Sequence, residues 1–450
     1  MHRVGWKIFA VSIMALIAIL SMMLLNACDS ATDADETATS LQKSSSSNSK
    51  SSSSKKAYPD SFKPNDKEYP YANIPRIVIY TENQQKIKDR ETEIPAKLQI
   101  WGKKEAESEI LDLTIRGRGN TSWEEMPKKS YKIEFEKKQS MLGMPKDKDW
   151  VLISNYADKT LMRNYIAYRL SAALGAYYAP RCEFAEFYLN GEYLGVYLLT
   201  ETIKIGKNRV NIPMDDASYI VEFDSKYRAN EQVVFSDILT DNGTGKPFRV
   251  HNPKNASNKI LDTLQKHIQL FEKYLKKIKA EQENNVADWI DVDESVIHYW
   301  VQEFSKNPDA KFYTSVFFIW VKGEKIKMGP VWDFDLAFGN HSYKDFVTIE
   351  NWHIRNYWNL YLFKDDLFKR KIAEKWNEEH HLFESVLDSI DKSATKLKKA
   401  VQNNFKRWDI LGVEKGWLRV SYESYDAAVE DLKDWIKQRM KWIDRQQETN

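Results

Sequence analysis

Cysteine is nearly absent. Cys28 and Cys182 are the only two in 450 residues, which excludes a disulfide framework and argues against a cysteine-centred metal site. A charge excess is missing as well: 67 Lys and Arg stand against 65 Asp and Glu, a formal net charge of +2. A general nucleic-acid binder carries a strong basic excess, so nucleic acid is not an expected partner. The chain has neither an HExxH zinc-protease signature nor a GxSxG serine-hydrolase elbow. His380 and His381 are adjacent and cannot share a metal as an i, i+4 pair does on a helix. No internal repeat dominates.

Size and aromatics are what the chain has. A mass of 52.8 kDa is enough to bury a large core in one composite domain. Fifteen Trp and 23 Tyr suit a stiff core or a sugar- or base-binding cleft, and the number alone does not choose.

Residues 1–27 read as an export signal: His2, Arg3 and Lys7 make a basic start, and Ile8 to Leu25 is an apolar run. Leu25-Asn26-Ala27-Cys28 resembles a bacterial lipobox, with Cys28 as the lipidation site, and the alternative is a transmembrane anchor. Either way the remainder is expected outside the cytoplasm, held to a membrane in the cell envelope. Residues 28–68 read as a Ser-rich disordered tether, almost pure serine from Ser44 to Ser54.

The folded domain is expected over 69–450, with a β-rich part over about 69–230 and a mainly helical part over about 231–450. Leu111 to Arg116 alternates like a half-buried strand and runs into Gly117-Arg118-Gly119, and Lys128 to Phe135 alternates again. Glycines at 117 and 119 let backbone amides approach an anion, with Arg116, Arg118, Lys128, Lys129 and Lys132 supplying charge; the bland alternative is a hairpin with surface arginines. Asp158 is placed to cap a helix from Lys159 to Leu174, stopped by Gly175; Arg163 and Asn164 on its first turns face a cleft or solvent. Asn190-Gly191 joins two aromatic-rich strands, Cys182 to Leu189 and Glu192 to Thr200, with Glu201 at the end. A further strand, Ser218 to Asp224, carries Glu222 and Asp224. From Asn258 the spacing of Leu264, Ile268, Phe271 and Leu275 predicts a long amphipathic helix, and helix dominates beyond Trp352.

The chain looks organised around Met328 to Asn340 (MGPVWDFDLAFGN), preceded by an apolar strand from Ser315 to Lys322 and a short return strand from Lys325 to Met328. In extended backbone, residues i and i+2 share a face, so Asp333 and Asp335 can meet in one small volume. Two such carboxylates repel unless a proton or cation sits between them, and oxygen donors suit Mg²⁺ or Mn²⁺. The bland reading is a strand end with two solvated aspartates.

Four blocks then carry a resemblance. They are Arg116 to Trp123 with Lys128 to Lys132; Trp150 to Asp158 with Arg163-Asn164; Leu189 to Glu201; and Lys306-Asn307-Pro308-Asp309 followed by Gly329 to Asn340. In this order they resemble the CotH kinase family, the spore-coat-protein-H-like atypical protein kinases. The resemblance implies an α+β, two-lobed, protein-kinase-like fold that takes ATP and Mg²⁺ or Mn²⁺ and phosphorylates Ser or Thr of proteins. It implies that Asp309 is the catalytic acceptor of the substrate proton and that Asp333 and Asp335 hold the metal. Arg116, Gly117, Arg118, Gly119, Lys132 and Glu201 are implied to serve the nucleotide. Many relatives carry an asparagine shortly after the Asp309 position, where this chain has Thr314 and Ser315. Two other classes stand beside this one: an Asp-x-Asp glycosyltransferase, and a surface-tethered binding or scaffold protein for wall polysaccharide.

Overall fold

Alternation of apolar and polar residues along the first strands closes a barrel. Its strands are β1 (Arg76–Thr81), β2 (Ile94–Trp101), β3 (Leu111–Arg118), β4 (Ser130–Met141), β5 (Met144–Ile153), β6 (Cys182–Leu189) and β7 (Glu192–Glu201), ordered β1-β2-β3-β4-β5-β7-β6. Closure comes from a parallel pairing of β1 with β6, Arg76 opposite Glu186 through Ile79 opposite Leu189. That pairing removes both free edges. Inward residues such as Ile77, Leu98, Ile115, Ile133, Trp150, Phe187 and Leu199 fill the interior, so the barrel is a packed core and not a pore. Asn190 and Gly191 both take positive φ, 51° and 83°, as a two-residue hairpin turn requires.

The computed structural model describes residues 57–239, 244–279, 285–416, 418 and 420–448. The signal segment, Cys28 and the serine run lie outside the described residues. Among the described residues no helix is long and apolar enough to cross a membrane. Phe62, only 2% exposed, packs with Val78, Tyr188 and Tyr193, and Asp66 pairs with buried Arg76. Ordered chain therefore takes in residues 57–68, which the sequence reading assigns to the tether; the Phe62 anchor, the Asp66–Arg76 pair and a bond from the Asn83 amide to the Ala57 carbonyl hold that stretch on the barrel.

A second, wholly antiparallel sheet follows. It has the order β12-β11-β8-β10-β9, from β8 (Ser218–Phe223), β9 (Val233–Leu239), β10 (Gly245–Asn252), β11 (Val316–Val321) and β12 (Lys327–Met328). β9 and β10 fall beyond residue 230, inside the part expected to be helical. Their polar residues (Asp237, Arg249, His251) and the bulged register between Gly245 and Pro247 blur the alternation that marks a strand. The helix Asn258–Lys279 contacts β9 and buries Leu264, Ile268, Phe271 and Leu275. The later helices, Val292–Ser305, Asp366–Glu378, His380–Leu397 and Tyr425–Glu448 among them, share that core. The chain is α+β, with strands dominating the N-terminal part and helices gathered in the C-terminal part.

Candidate active site

The glycine-bearing turn after β3 is set by close packing. A Cβ at Gly117 would lie 2.5 Å from the Trp123 ring and 2.7 Å from the Asp89 carbonyl, so no other residue fits there. The Gly117 amide donates to that carbonyl at 3.0 Å and is not available to an anion. Gly119 takes φ +98°, and its carbonyl accepts from Arg90 at 2.7 Å. Of the expected cations, Arg116, Arg118 and Lys132 reach the same cavity as Gly119, and Lys128 and Lys129 do not. Lys128 is buried and donates to the Val196 carbonyl at 2.6 Å and Asn404 Oδ1 at 3.0 Å; Lys129 bonds the Trp123 carbonyl. Lys132 Nζ lies 2.7 Å from Asp149 and 2.9 Å from Glu134, which fixes the ammonium and favours its charged form.

Asp309 reaches the cavity through a tight exit from the helix Val292–Ser305. Lys306 turns left-handed at φ 45°, and Asn307 caps the next turn by accepting from the Asp309 amide at 3.3 Å. The same Asn307 side chain donates to the Asp333 carbonyl at 3.0 Å. Asp333 itself is not in a strand: its φ is +65°, so the aspartates are juxtaposed by a loop and not by strand alternation. A non-glycine residue in that region is strained and needs support. Asn164 supplies it, accepting from the Phe334 amide at 2.7 Å; Arg163 donates to the Ala337 carbonyl at 3.1 Å, and Asn340 donates to the Asp335 carbonyl at 2.6 Å. Arg163 and Asn164 are thus buried braces of the acidic loop and face neither solvent nor an open cleft. Their helix starts at Arg163, four residues later than expected. Its N-cap residue is Met162 and not Asp158, although Asp158 Oδ2 accepts from the Arg163 amide at 2.8 Å, and Gly175 at φ +88° follows its end.

Asp309, Asp333 and Asp335 line one cavity of about 810 Å³ together with Arg116, Arg118, Gly119 and Lys132. Burial first, and then the charge of Asp333, pushes Asp309 up to about 7, against the pull of Lys226. Asp335 is driven well above the carboxylate range by burial, then by Asp333 and Asp309. Burial raises Asp333 too, with Arg118 the main opposing charge. None of the three has an ion pair to a Lys, Arg or His within 4.0 Å among the described residues. Carboxyls buried in one cavity are neutralised either by protons or by a bound cation. Among the described residues no group of three or more His, Cys, Asp or Glu is arranged to hold a metal. Two aspartates alone still suit Mg²⁺ or Mn²⁺, because such an ion commonly takes one or two carboxylates and completes its shell with water and substrate phosphate oxygens. The Ser315 hydroxyl lies 3.4 Å from Asp333 Oδ2.

Glu201 does not line the cavity. It is wholly buried and serves Arg209 at 2.6 Å, Arg181 at 2.8 Å and the Tyr178 hydroxyl at 3.1 Å. Two carboxylates without an assigned role do line it, Glu222 on β8 and Asp224 directly after its end. Glu222 lies 2.6 Å from His251 and accepts from the Ser315 amide at 3.1 Å; Asp224 meets Arg249 at 3.3 Å. Their i, i+2 spacing on an otherwise apolar strand carried the signal, by the same-face argument applied to Asp333 and Asp335.

Fold and cavity together define a protein of α+β architecture, with acids and cations facing one cavity. A family model described as CotH kinase protein matches residues 115–443, most of the chain, and the protein belongs to the CotH kinase family. The match includes the C-terminal helices. No curated protein matches the chain.

Proposed function

We propose that the protein transfers the γ-phosphoryl group of ATP to Ser or Thr hydroxyls of exported or cell-surface proteins, using Mg²⁺ or Mn²⁺ and a two-lobed, protein-kinase-like arrangement. One observation carries the reading: Asp309, Asp333 and Asp335 share a cavity with Arg116, Arg118, Gly119 and Lys132. Arg116, Arg118 and Lys132 bind the phosphate oxygens, and Asp333 with Asp335 holds the metal. The bound ion supplies charge neutralisation at the β- and γ-phosphates. Asp309 orients the acceptor hydroxyl and takes its proton as the new O–P bond forms and ADP leaves with the old one. A group poised near neutrality suits that task. Residues 1–28 support lipid anchoring in the cell envelope, through their basic start, apolar run and terminal Cys28. An Asp-x-Asp glycosyltransferase ranks lower, because the sheet that leads into the acidic loop is antiparallel throughout.

The test is γ-phosphate transfer to a protein acceptor with Mn²⁺ by wild type, Asp309→Asn and Asp333→Asn. Transfer is expected from wild type and lost from both variants. Equal transfer by all three removes the assigned roles, and a thermal shift with nucleotide sugars but not with ATP moves the protein to the glycosyltransferase class.

A further inference from the structure

The Arg118 guanidinium makes neither a hydrogen bond nor an ion pair with a protein group among the described residues, although it faces the cavity. Its contact is a ring: the guanidinium carbon lies 4.9 Å from the centre of the Trp332 indole. Trp332, 6% exposed, in turn stacks on Tyr168 at 5.6 Å and 23° between planes, and Tyr168 is 1% exposed. Tyr168 belongs to the helix Arg163–Ala173, whose first residues brace the acidic loop. A three-layer stack therefore runs from that helix, through the residue directly before Asp333, to the glycine-bearing turn. Stacking on an aromatic face fixes the plane of a guanidinium but satisfies none of its five N–H donors. Those donors are left for a ligand rich in oxygen acceptors, and a guanidinium fork fits phosphate.

We propose that Trp332 is a positioning residue, which holds Arg118 flat so that its donors meet the phosphate oxygens of a triphosphate whose metal is held by the neighbouring Asp333. This rests on the phosphoryl-transfer reading for the identity of the ligand, whereas the stack itself calls for a phosphate-like oxygen anion whatever base the ligand carries. The inference gives Trp332 a part in binding that requires no contact with the ligand. It also explains why an aromatic residue directly precedes the metal-holding acid: the same short loop sets the cation and the arginine in register.

The experiment is a titration of the full chain with two probes, a nonhydrolysable ATP analogue and inorganic tripolyphosphate, each with Mn²⁺. Wild type is compared with Trp332→Phe, Trp332→Leu, Arg118→Met and the Trp332→Leu/Arg118→Met pair, each first checked for a wild-type thermal transition. Trp332→Leu is expected to weaken both probes about tenfold, and Trp332→Phe to keep most of the affinity because it keeps a ring face. In the pair, Trp332→Leu is expected to add little once Arg118 is gone. Full additivity, or unchanged tripolyphosphate binding in Trp332→Leu, overturns the positioning role. If Trp332→Leu weakens the ATP analogue alone, the indole contacts the base and the proposal also falls. Wild type that binds tripolyphosphate but not the ATP analogue sinks the nucleotide reading while leaving the stack to be decided by the tripolyphosphate series; wild type that binds neither probe overturns both.

Discussion

The Asn307 side chain donates to the Asp333 carbonyl at 3.0 Å while its own oxygen accepts from the Asp309 amide at 3.3 Å. One amide thus sets the spacing between two acids that are 24 positions apart in the chain. Replacing it with Ala leaves buried groups unsatisfied and both loops free to drift. Asn307→Ala is expected to cost about 1–3 kcal/mol of stability and to lower transfer more than it lowers nucleotide affinity. Urea unfolding beside a kinetic assay checks this, and wild-type turnover in the variant would falsify the linking role.

Arg163 and Asp158 form a fully buried ion pair, and Arg163 also donates to the Ala337 carbonyl. Arg163→Met leaves buried Asp158 without its ion-pair partner. A loss of about 3–5 kcal/mol is expected, together with loss of activity, read by denaturant unfolding and by transfer under conditions where the variant remains folded. A loss below 1 kcal/mol would show that water or relaxation replaces the pair.

Glu201 provides a contrast within the same sequence block. Its partners are Arg209, Arg181 and Tyr178, and none of its atoms faces the cavity. Glu201→Gln is expected to destabilise by several kcal/mol, on the order of 3–5, with affinity for the ATP analogue unchanged in the folded fraction. Weakened binding at full folding would return Glu201 to the nucleotide site.

Glu294 makes stability depend on pH. Burial first, and then Asp291, pushes its carboxyl up to about 7, while a bond from the Tyr177 amide at 2.8 Å and the charge of Lys327 oppose the rise. A raised folded-state pKa favours the protonated form, so its contribution is fully present below the unfolded value near 4.5 and is lost as pH climbs through about 7. Glu294→Gln is expected to be near neutral at pH ~4 and stabilising by about 1–3 kcal/mol at pH ~8. Thermal unfolding at both pH values decides it; an equal effect at the two excludes titration as the cause.

Asp309 gives the corresponding kinetic signature. With its carboxyl near 7 before a cation binds, the acid limb of kcat/KM is expected to bend close to neutrality, activity falling below it as the base is protonated. Asp309→Asn is expected to lose about 10²–10⁴ in kcat and to retain affinity for the metal–nucleotide pair. A wild-type profile flat from pH ~5 to ~8 leaves the proton with another acceptor.

Much of this arrangement was legible in the residues. The alternation of Leu111 to Arg116 and of Lys128 to Phe135, the Asn190-Gly191 turn and the apolar run before Gly329 each reproduce a local rule, and the observed strands follow them. Local rules do not specify long-range pairing, so the β1–β6 closure and the sheet containing β9 and β10 went unread. At the site, the types and spacing of Asp333 and Asp335 pointed to a shared volume, but the means differ: a left-handed Asp333 within a braced loop replaces the extended strand. The direction of a lysine side chain is likewise invisible in sequence. Lys128 and Lys132 both lie in the Lys128 to Phe135 stretch, yet Lys128 is spent on Asn404 and the Val196 carbonyl while Lys132 faces the cavity.

Arg439, on the last helix, pairs with Glu303 at 2.6 Å, and Glu303 in turn accepts from the amides of His353 and Ile354. His353 Nε2 sits 2.8 Å from the Asn307 carbonyl. The far carboxyl end of the chain is therefore mechanically continuous with the residue that spaces the two acids. Trimming or fusing the protein near residue 439 alters the chemistry upstream as directly as a substitution in the cleft, and a preparation shortened there is no neutral starting point for an assay.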